Sequence, residues 1–285
     1  MHPQLATNEM DRSIVGSLAA RGGFRNEQNV VVKFNNWQND AIVQHWLNLM
    51  GINLEEILYV RAVQVPLKIT LANFEEARSY SEDLAIINTF KKADILVSIK
   101  MQDNVIKKET LSLKKANVKA NYNQIDKRSV DSYQAMWGFD DEIAFWLKLF
   151  SGQIVPENFL HYTVDLASLR NNRRIFMDEM PLEVQTKILT FFETHRRKIV
   201  EDVFKGRHDL SAKWILVTKV ENENTTWDLK NINTVLDYFG CHGEVTKTPK
   251  RSISIGEVTL QRKGGTPDPT KLQFKFNPCT LFDIQ

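Results

Sequence analysis

Two short apolar segments on either side of a polar turn place the strongest constraint on how this chain can fold. The segments ADILVSI (93–99) and ETLSLKK (109–115) have the length and composition of β-strands, and the polar stretch KMQDNVIKK lies between them. They predict two short strands around a turn. Asp94 is unusual in an apolar strand, and Lys114 is equally unusual beside the leucines of the next one.

Helical and strand-like patterns share the rest of the chain. Helices are predicted for residues 23–50 (two), 73–90 and most of 131–200; strands are predicted for 57–65, 212–220, 252–261 and 271–276. This order indicates an α/β or α+β fold, with a mixed sheet flanked by helices and a largely helical middle region.

We expect one domain over residues 1–285. Its parts would be a core at about 23–130, a helical region at about 131–205 and C-terminal strands at about 210–285.

The composition argues against a membrane protein and against a secreted disulfide scaffold. The chain is 42% hydrophobic and 25% charged, and its apolar runs are far shorter than the roughly 18 residues of a membrane helix. The N-terminus has no basic start followed by an apolar core, so we expect no signal peptide. Cys241 and Cys279 form no metal or disulfide pattern, and we expect a cytoplasmic protein with reduced thiols.

Asp94, Ser112 and Lys114 form the first candidate site. Residues two apart in a strand share a face, so Ser112 and Lys114 point the same way, and Asp94 lies beside them if the strands pair through the turn. A carboxylate, a second oxygen and a lysine at a strand end suit Mg²⁺-dependent phosphodiester hydrolysis. The pattern resembles a divergent PD-(D/E)xK nuclease motif, although a hairpin with solvated polar ends would look the same.

Glu27 is a second candidate metal ligand, together with Asp94. It precedes Val30, Val31 and Phe34 by three, four and seven residues, which places it on the apolar side of the first predicted helix. A carboxylate there is costly unless it meets a partner or a metal. The alternative is an acid at a helix start, favoured by the helix dipole.

Basic residues are concentrated in two blocks of a chain whose net charge is only +2. Residues 91–130 hold ten Lys or Arg against four acids, and residues 244–275 hold seven against three. Such blocks are typical of a surface that binds a polyanion, although solvated lysine faces would give the same counts.

The C-terminal segment KLQFKF has a pattern suited to DNA. Its apolar residues alternate to one side, so Lys271, Gln273 and Lys275 would face the other and could enter a major groove. In the preceding QRKGG, Arg262 and Lys263 could contact guanine or phosphate. Gly264 and Gly265 would allow the backbone to approach the DNA closely.

Several long segments between residue 23 and the C-terminus resemble, in the same order along the chain, the type II restriction endonucleases of the HinP kind. The MspI enzyme is a more distant relative. They include GFRNEQNVVVKFNNW, GRHDLSAKWILV and GEVTLQRKGG. The resemblance implies a restriction-endonuclease-like sheet and Mg²⁺-dependent cleavage of duplex DNA, with GCGC as the expected site. The family site is an Asp followed by Gln-x-Lys, which falls here on Asp94, Ser112 and Lys114. Serine therefore stands at the position of the family's glutamine, and Glu27 is the candidate for the missing oxygen.

The resemblance also implies DNA contacts for the segment NYNQIDK and for the C-terminal strands. The candidates are Asn123, Gln124, Lys127, Gln261, Arg262, Lys263, Lys271, Gln273 and Lys275. A palindrome that is read twice usually calls for a dimer, but the family resembles monomeric cutters, so both states stay open. A cognate methyltransferase would protect the host DNA.

Two other hypotheses remain at this point. Because serine is a poorer metal ligand than glutamine, the chain could be a DNA-binding protein that has lost cleavage. It could also be a nuclease for a different C/G tetranucleotide.

Overall fold

The structure is a computed structural model that describes residues 23–80, 84–116, 122–158, 166–221, 224–249, 251–264 and 270–284. The chain divides into two compact units. The first unit comprises Ala19–Asn121, Phe204–Leu236 and Pro278–Gln285, and the second comprises Met1–Leu18, Tyr122–Val203 and Asp237–Asn277. No helix in these described ranges is long and apolar enough to span a membrane.

The described chain contains both helices and strands, and several of each follow one another without interruption. The helices are residues 23–35 (α1), Ala41–Leu49 (α2), Leu84–Phe90 (α3), Val130–Trp137 (α4), Asp141–Ser151 (α5), Leu182–Thr194 (α6), Arg196–Phe204 (α7), Ile232–Cys241 (α8) and Thr280–Asp283 (α9). The strands are Ile57–Gln64 (β1), Ile95–Met101 (β2), Ile106–Ala116 (β3), Asn123–Arg128 (β4), Trp214–Glu221 (β5), Asn224–Asn231 (β6), Val245–Lys247 (β7), Ile253–Ile255 (β8), Val258–Arg262 (β9) and Leu272–Phe276 (β10).

The first unit is built on a five-stranded mixed sheet in the order β1-β2-β3-β5-β6. Strands β2 and β3 pair antiparallel through the polar turn, with Ile95 opposite Leu111, and β3 runs parallel to β5. Helices α1 and α2 cover one face, where Val30 and Phe34 of α1 are fully buried with Ile95 and Leu111 in one apolar cluster. This alternation of inward residues fixes which side chains of β2 and β3 point to the other face.

The opposite face of this sheet is covered by residues 65–80 and 84–90 and by the loop before β5. Leu96 of β2 packs there against Ile69, Phe74, Ile87 and Leu210. The loop is tied to the entry of β2, because the carbonyl of Leu210 accepts hydrogen bonds at 3.0 Å from the backbone N–H groups of both Lys92 and Ala93. These bonds fix the backbone immediately before Asp94.

The second unit contains a five-stranded antiparallel sheet in the order β4-β10-β9-β8-β7. One face of this sheet packs on helix α4, where Phe274 of β10 meets Tyr133 and Trp137 edge-on at ring-centroid distances of 5.3 and 5.6 Å. Asp126 of β4 is buried and accepts hydrogen bonds from the hydroxyl of Tyr133 and from Arg128, both at 3.0 Å. The other face of the sheet is left to polar side chains.

The predicted fold class and the predicted strand pair are confirmed, and 131–200 is mainly helical wherever it is described. The single helix predicted for 73–90 is wrong. Residues Glu75–Ser79 form a 3-10 turn that ends at Tyr80, whose backbone is extended because its ring stacks on Phe74. The segment 252–261 forms two strands that turn at Gly256 (φ +58°). That residues 1–285 form one domain stays a prediction.

Gly206 provides a test of how tightly the segment before Asp94 is held. Gly206 and Gly51 both have positive φ values, +73° and +72°, but only at Gly206 would a Cβ lie 2.1 Å from a backbone oxygen, that of Phe90. Gly51→Ala should cost about 1 kcal/mol of unfolding free energy from backbone strain. Gly206→Ala should cost about 2 kcal/mol more because of the clash. Equal costs in denaturant titrations of the two variants would contradict this packing.

Candidate functional site

The Asp94 carboxylate is fixed at the point where β3 continues past the start of β2. Its backbone N–H donates to Leu111 at 2.8 Å, and its backbone carbonyl accepts from Val65 at 2.9 Å. One side-chain oxygen, Oδ2, accepts the backbone N–H of Leu113 at 2.7 Å. The carboxylate therefore accepts the β3 hydrogen bond that the backbone of a further β2 residue would accept. Backbone bonds to Leu111 on β3 and to Val65 after β1 fix its orientation.

Ser112 and Lys114 stand on one face of β3, as the sequence predicted, and both reach Asp94. The ammonium of Lys114 donates to the Ser112 hydroxyl at 3.0 Å and to the backbone carbonyl of Leu113 at 3.0 Å. The Ser112 hydroxyl in turn donates to Oδ2 of Asp94 at 3.3 Å, and the lysine nitrogen is 3.9 Å from the same oxygen. Ser112 thus links the lysine to the acid, and only 4% of it is exposed.

Glu27 reaches this site from helix α1. Its carboxylate oxygen Oε2 accepts a short hydrogen bond from the side-chain amide of Gln64, the last residue of β1. Burial raises the pKa of Glu27; Gln64 opposes that shift, the charge of Asp94 adds to it, and the charges of Lys114 and Lys91 oppose it. Glu27 and Asp94 are therefore close enough for their charges to repel each other.

Lys91 is a further cation of this site. It lies three residues before Asp94 and is half-buried. Burial lowers the pKa of its ammonium group, while the charges of Asp94 and Glu27 act to raise it. Two lysines and two carboxylates therefore lie close together immediately before the first residue of β2.

The two carboxylates fit a hard divalent cation such as Mg²⁺. Within the described residues, Oδ1 of Asp94 and Oε1 of Glu27 accept no hydrogen bond, so each acid keeps one oxygen for a ligand. No cluster of three or more His, Cys, Asp or Glu occurs in the same part of the chain. A cation held here would keep several waters or substrate oxygens, which is the preference of Mg²⁺ rather than of structural zinc.

Most of the predicted DNA-binding residues share one face of the second unit's sheet. Lys127, Gln273 and Gln261 lie directly opposite one another on β4, β10 and β9, and Gln124 lies opposite Lys275. Strand alternation puts Lys263 and Lys271 on the same side, where the backbone N–H of Lys263 donates to the carbonyl of Lys271 at 2.7 Å. We call this surface the lysine face: Gln124, Lys127, Gln261, Lys263, Lys271, Gln273 and Lys275.

The lysines of this face repel one another. Burial lowers the pKa of Lys275, and the charge of Lys263 lowers it further. Burial likewise lowers the pKa of Lys263, with a second contribution from the charge of Lys127. Positive charges that disfavour each other on one surface are relieved when a polyanion binds there.

Three predictions about these strands need correction or restriction. Arg262 and Asn123 do not lie on the lysine face, because they stand opposite Leu272 and Phe276 on the side that packs on the helices. Arg262 instead lies near Arg174, whose pKa is lowered to about 10 by burial and by the charge of Arg262. Gln273 was expected to face outward, but only 3% of it is exposed, and its side-chain oxygen has no hydrogen-bond partner among the described residues. Gly265 lies outside the described residues.

Sequence reasoning missed Gln64 and Lys91. A signal for Gln64 was present, because it continues the inward row of Val60 and Ala62 on β1, where a polar residue needs a partner. Nothing in the local pattern distinguishes Lys91 from Lys92 beside it. Its position depends on the tertiary contacts that hold residues 90–94.

Comparisons with known proteins identify a family and a fold for this chain. A family model described as R.HinP1I restriction endonuclease matches residues 77–282. The crystal structure of restriction endonuclease MspI in complex with its cognate DNA is similar with a TM-score of 0.58 at 13% sequence identity, over 96% of this chain and 100% of that one. Among curated protein sequences, none is significantly similar to the chain. At so low an identity, the similarity to MspI shows that the two proteins share a fold and shows nothing further.

The repulsion on the lysine face predicts a salt-dependent stability. Salt screens like charges, so the melting temperature should rise between low and high NaCl. Lys275→Met should flatten this rise, and at low salt it should raise the unfolding free energy by about 0.5 kcal/mol. Lys247→Met is the matched control, since Lys247 is an exposed lysine of β7 in the same sheet. The same salt response in both variants would contradict the assignment.

Proposed function

Because the chain belongs to the R.HinP1I restriction endonuclease family, and is therefore a type II site-specific nuclease, we propose that it hydrolyses DNA with Mg²⁺ at a short palindromic C/G site, GCGC being the first candidate. The observation that carries this proposal is the meeting of Asp94, Ser112 and Lys114 at one strand end beside Glu27. These are the residue types that metal-dependent phosphodiester hydrolysis requires.

Asp94 and Glu27 are the proposed cation ligands. Restriction endonucleases generally use divalent metal ions, and Mg²⁺ bound to both acids would polarise the scissile phosphate and lower the pKa of a bound water. The structure supports this pair because each acid keeps one oxygen without a hydrogen bond from the described residues. The backbone N–H of Leu113 keeps the Asp94 carboxylate in one orientation.

Lys114 has the second role, which is to stabilise charge on the phosphate and to orient the attacking water. A fixed ammonium group in a partly buried site acts more strongly than one in water, and 15% of the Lys114 side chain is exposed. Ser112 contributes by holding the ammonium group, since its hydroxyl lies between Lys114 and Asp94. The serine in place of the family's glutamine therefore keeps a positioning role, which favours a nuclease over a protein that only binds DNA.

The lysine face is the proposed DNA-reading surface of the second unit. Lysine can donate to O6 and N7 of guanine, and the glutamine amides of Gln124 and Gln261 can pair with base edges in the major groove. Its like charges indicate a polyanionic partner. We propose duplex DNA as that partner, a cytoplasmic location, and a cognate methyltransferase that protects the host site.

Digestion of unmethylated plasmid DNA tests this function. With Mg²⁺ we expect discrete fragments whose sequenced ends all fall in one palindromic motif, and without a divalent cation we expect none. Ends at GCGC would support the proposed specificity, whereas ends at another C/G tetranucleotide would keep the nuclease and overturn GCGC as its site. No cleavage with Mg²⁺ or Mn²⁺ would refute the catalytic proposal.

A lysine pair on β3 supplies the matched variants. Lys114→Ala should lower the cleavage rate by about 10²–10³-fold, the usual cost of removing one group that stabilises transition-state charge. Lys115→Ala should cleave normally, because Lys115 points to the opposite face of the same strand. Measured rates that fall equally in the two variants would show that Lys114 has no special role.

A further inference from the structure

Gln64 donates a hydrogen bond to Glu27, one of the two proposed cation ligands. Among the described residues, the other side chains with a hydrogen bond or ion pair to either ligand are Ser112 and Lys114, which already have proposed roles. We propose that Gln64 is a positioning residue that holds the Glu27 carboxylate in the orientation that receives the divalent cation. This inference rests on the proposed function, because it takes Glu27 to be a ligand. It concerns a residue that no sequence motif of the site includes.

The hydrogen bond of Gln64 has the geometry that such a role needs. The amide N–H group of Gln64 donates to Oε2 of Glu27, and within the described part of the chain no other hydrogen bond reaches that carboxylate. One donor on one oxygen fixes the rotation of the carboxylate and leaves Oε1 available. A glutamate side chain without this bond would keep rotamer freedom that cation binding would have to remove.

The backbone of β1 connects Gln64 to the other acid. Gln64 lies opposite Ile95, the residue after Asp94, and the next N–H of the chain, that of Val65, donates to the carbonyl of Asp94 at 2.9 Å. The amide is therefore anchored to the same short piece of ladder that orients Asp94. Through Gln64, the pairing of β1 with β2 sets the distance between Glu27 on α1 and Asp94 just before β2.

A purely structural hydrogen bond would not be expected at this place. Glu27 is half-buried and repelled by Asp94, so a site without a ligand would be more stable with an apolar residue there. Groups that orient metal ligands typically change metal affinity by about 10–100-fold when they are removed. The inference therefore predicts a change in cation affinity as well as a change in stability.

Titration of the full chain with Mn²⁺, followed by the electron paramagnetic resonance signal of the free ion, tests the inference without DNA. Gln64→Leu keeps most of the side-chain volume and removes the donor, and it should weaken Mn²⁺ binding about tenfold. Gln102→Leu is the matched control, because the Gln102 amide donates to the carbonyl of Glu55 at 2.9 Å beyond the other end of β2. That control should bind Mn²⁺ like the unaltered chain.

A double variant decides whether Gln64 acts through Glu27. In a Glu27→Gln background, Gln64→Leu should have no further effect on Mn²⁺ affinity, since the carboxylate that it orients is already gone. If Gln64→Leu fails to fold, Gln64→Met removes the donor from a flexible side chain of similar length, and it should also weaken Mn²⁺ binding about tenfold. Unchanged Mn²⁺ affinity in Gln64→Met would contradict the proposal.

Failure of this inference can be distinguished from failure of the proposed function. Plasmid cleavage by the unaltered chain together with unchanged Mn²⁺ affinity in Gln64→Leu would overturn the role of Gln64 and leave the nuclease standing. Lost Mn²⁺ affinity in Gln64→Leu with no cleavage by the unaltered chain would keep the positioning role and refute catalysis. No Mn²⁺ binding to the unaltered chain at millimolar concentration would overturn the inference itself.

Discussion

The hydrogen bond from the backbone N–H of Leu113 to the carboxylate of Asp94 is the contact on which the site depends. At 2.7 Å it holds the acid immediately before β2, where the carboxylate accepts the hydrogen bond that the backbone of a further strand residue would accept. Because the same strand then brings Ser112 and Lys114 to one face, the register of a single antiparallel pair fixes three functional side chains. A one-residue shift in that register would send Ser112 and Lys114 into the apolar cluster under α1.

The site around Asp94 contains equal numbers of acidic and basic side chains. Two acids, Glu27 and Asp94, face two lysines, Lys91 and Lys114, in a partly buried space. The charges of Lys114 and Lys91 oppose the rise in the pKa of Glu27 that burial and the charge of Asp94 cause. A cation held by Asp94 and Glu27 would offset the repulsion between the two acids, and the lysines would then be available to pair with a substrate phosphate.

Much of the site could be predicted because it depends on local periodicity. Strand alternation placed Ser112 beside Lys114, and helical spacing placed Glu27 on the side of α1 that faces the sheet. The same alternation grouped Lys271 and Lys275, and the structure adds Lys127 to them through the pairing of β4 with β10.

The errors arose where tertiary contacts override local pattern. Tyr80 ends a predicted helix because its ring stacks on Phe74, and Gln273 is buried although its strand position is polar. Arg262 stays a predicted DNA contact, but it does not share the lysine face with Lys263, because adjacent residues of a strand face opposite sides. Gln64 was overlooked because its role depends on a contact with Glu27, 37 residues away along the chain, and no local window contains both residues.

The central claim is that Asp94 and Glu27 together hold the catalytic cation. Crystals of the protein soaked in Mn²⁺ and measured near the manganese absorption edge would test it directly. The account predicts an anomalous difference peak within about 2.0–2.5 Å of one oxygen from each carboxylate. A peak bound by Asp94 alone, with Glu27 still bonded only to Gln64, would contradict it.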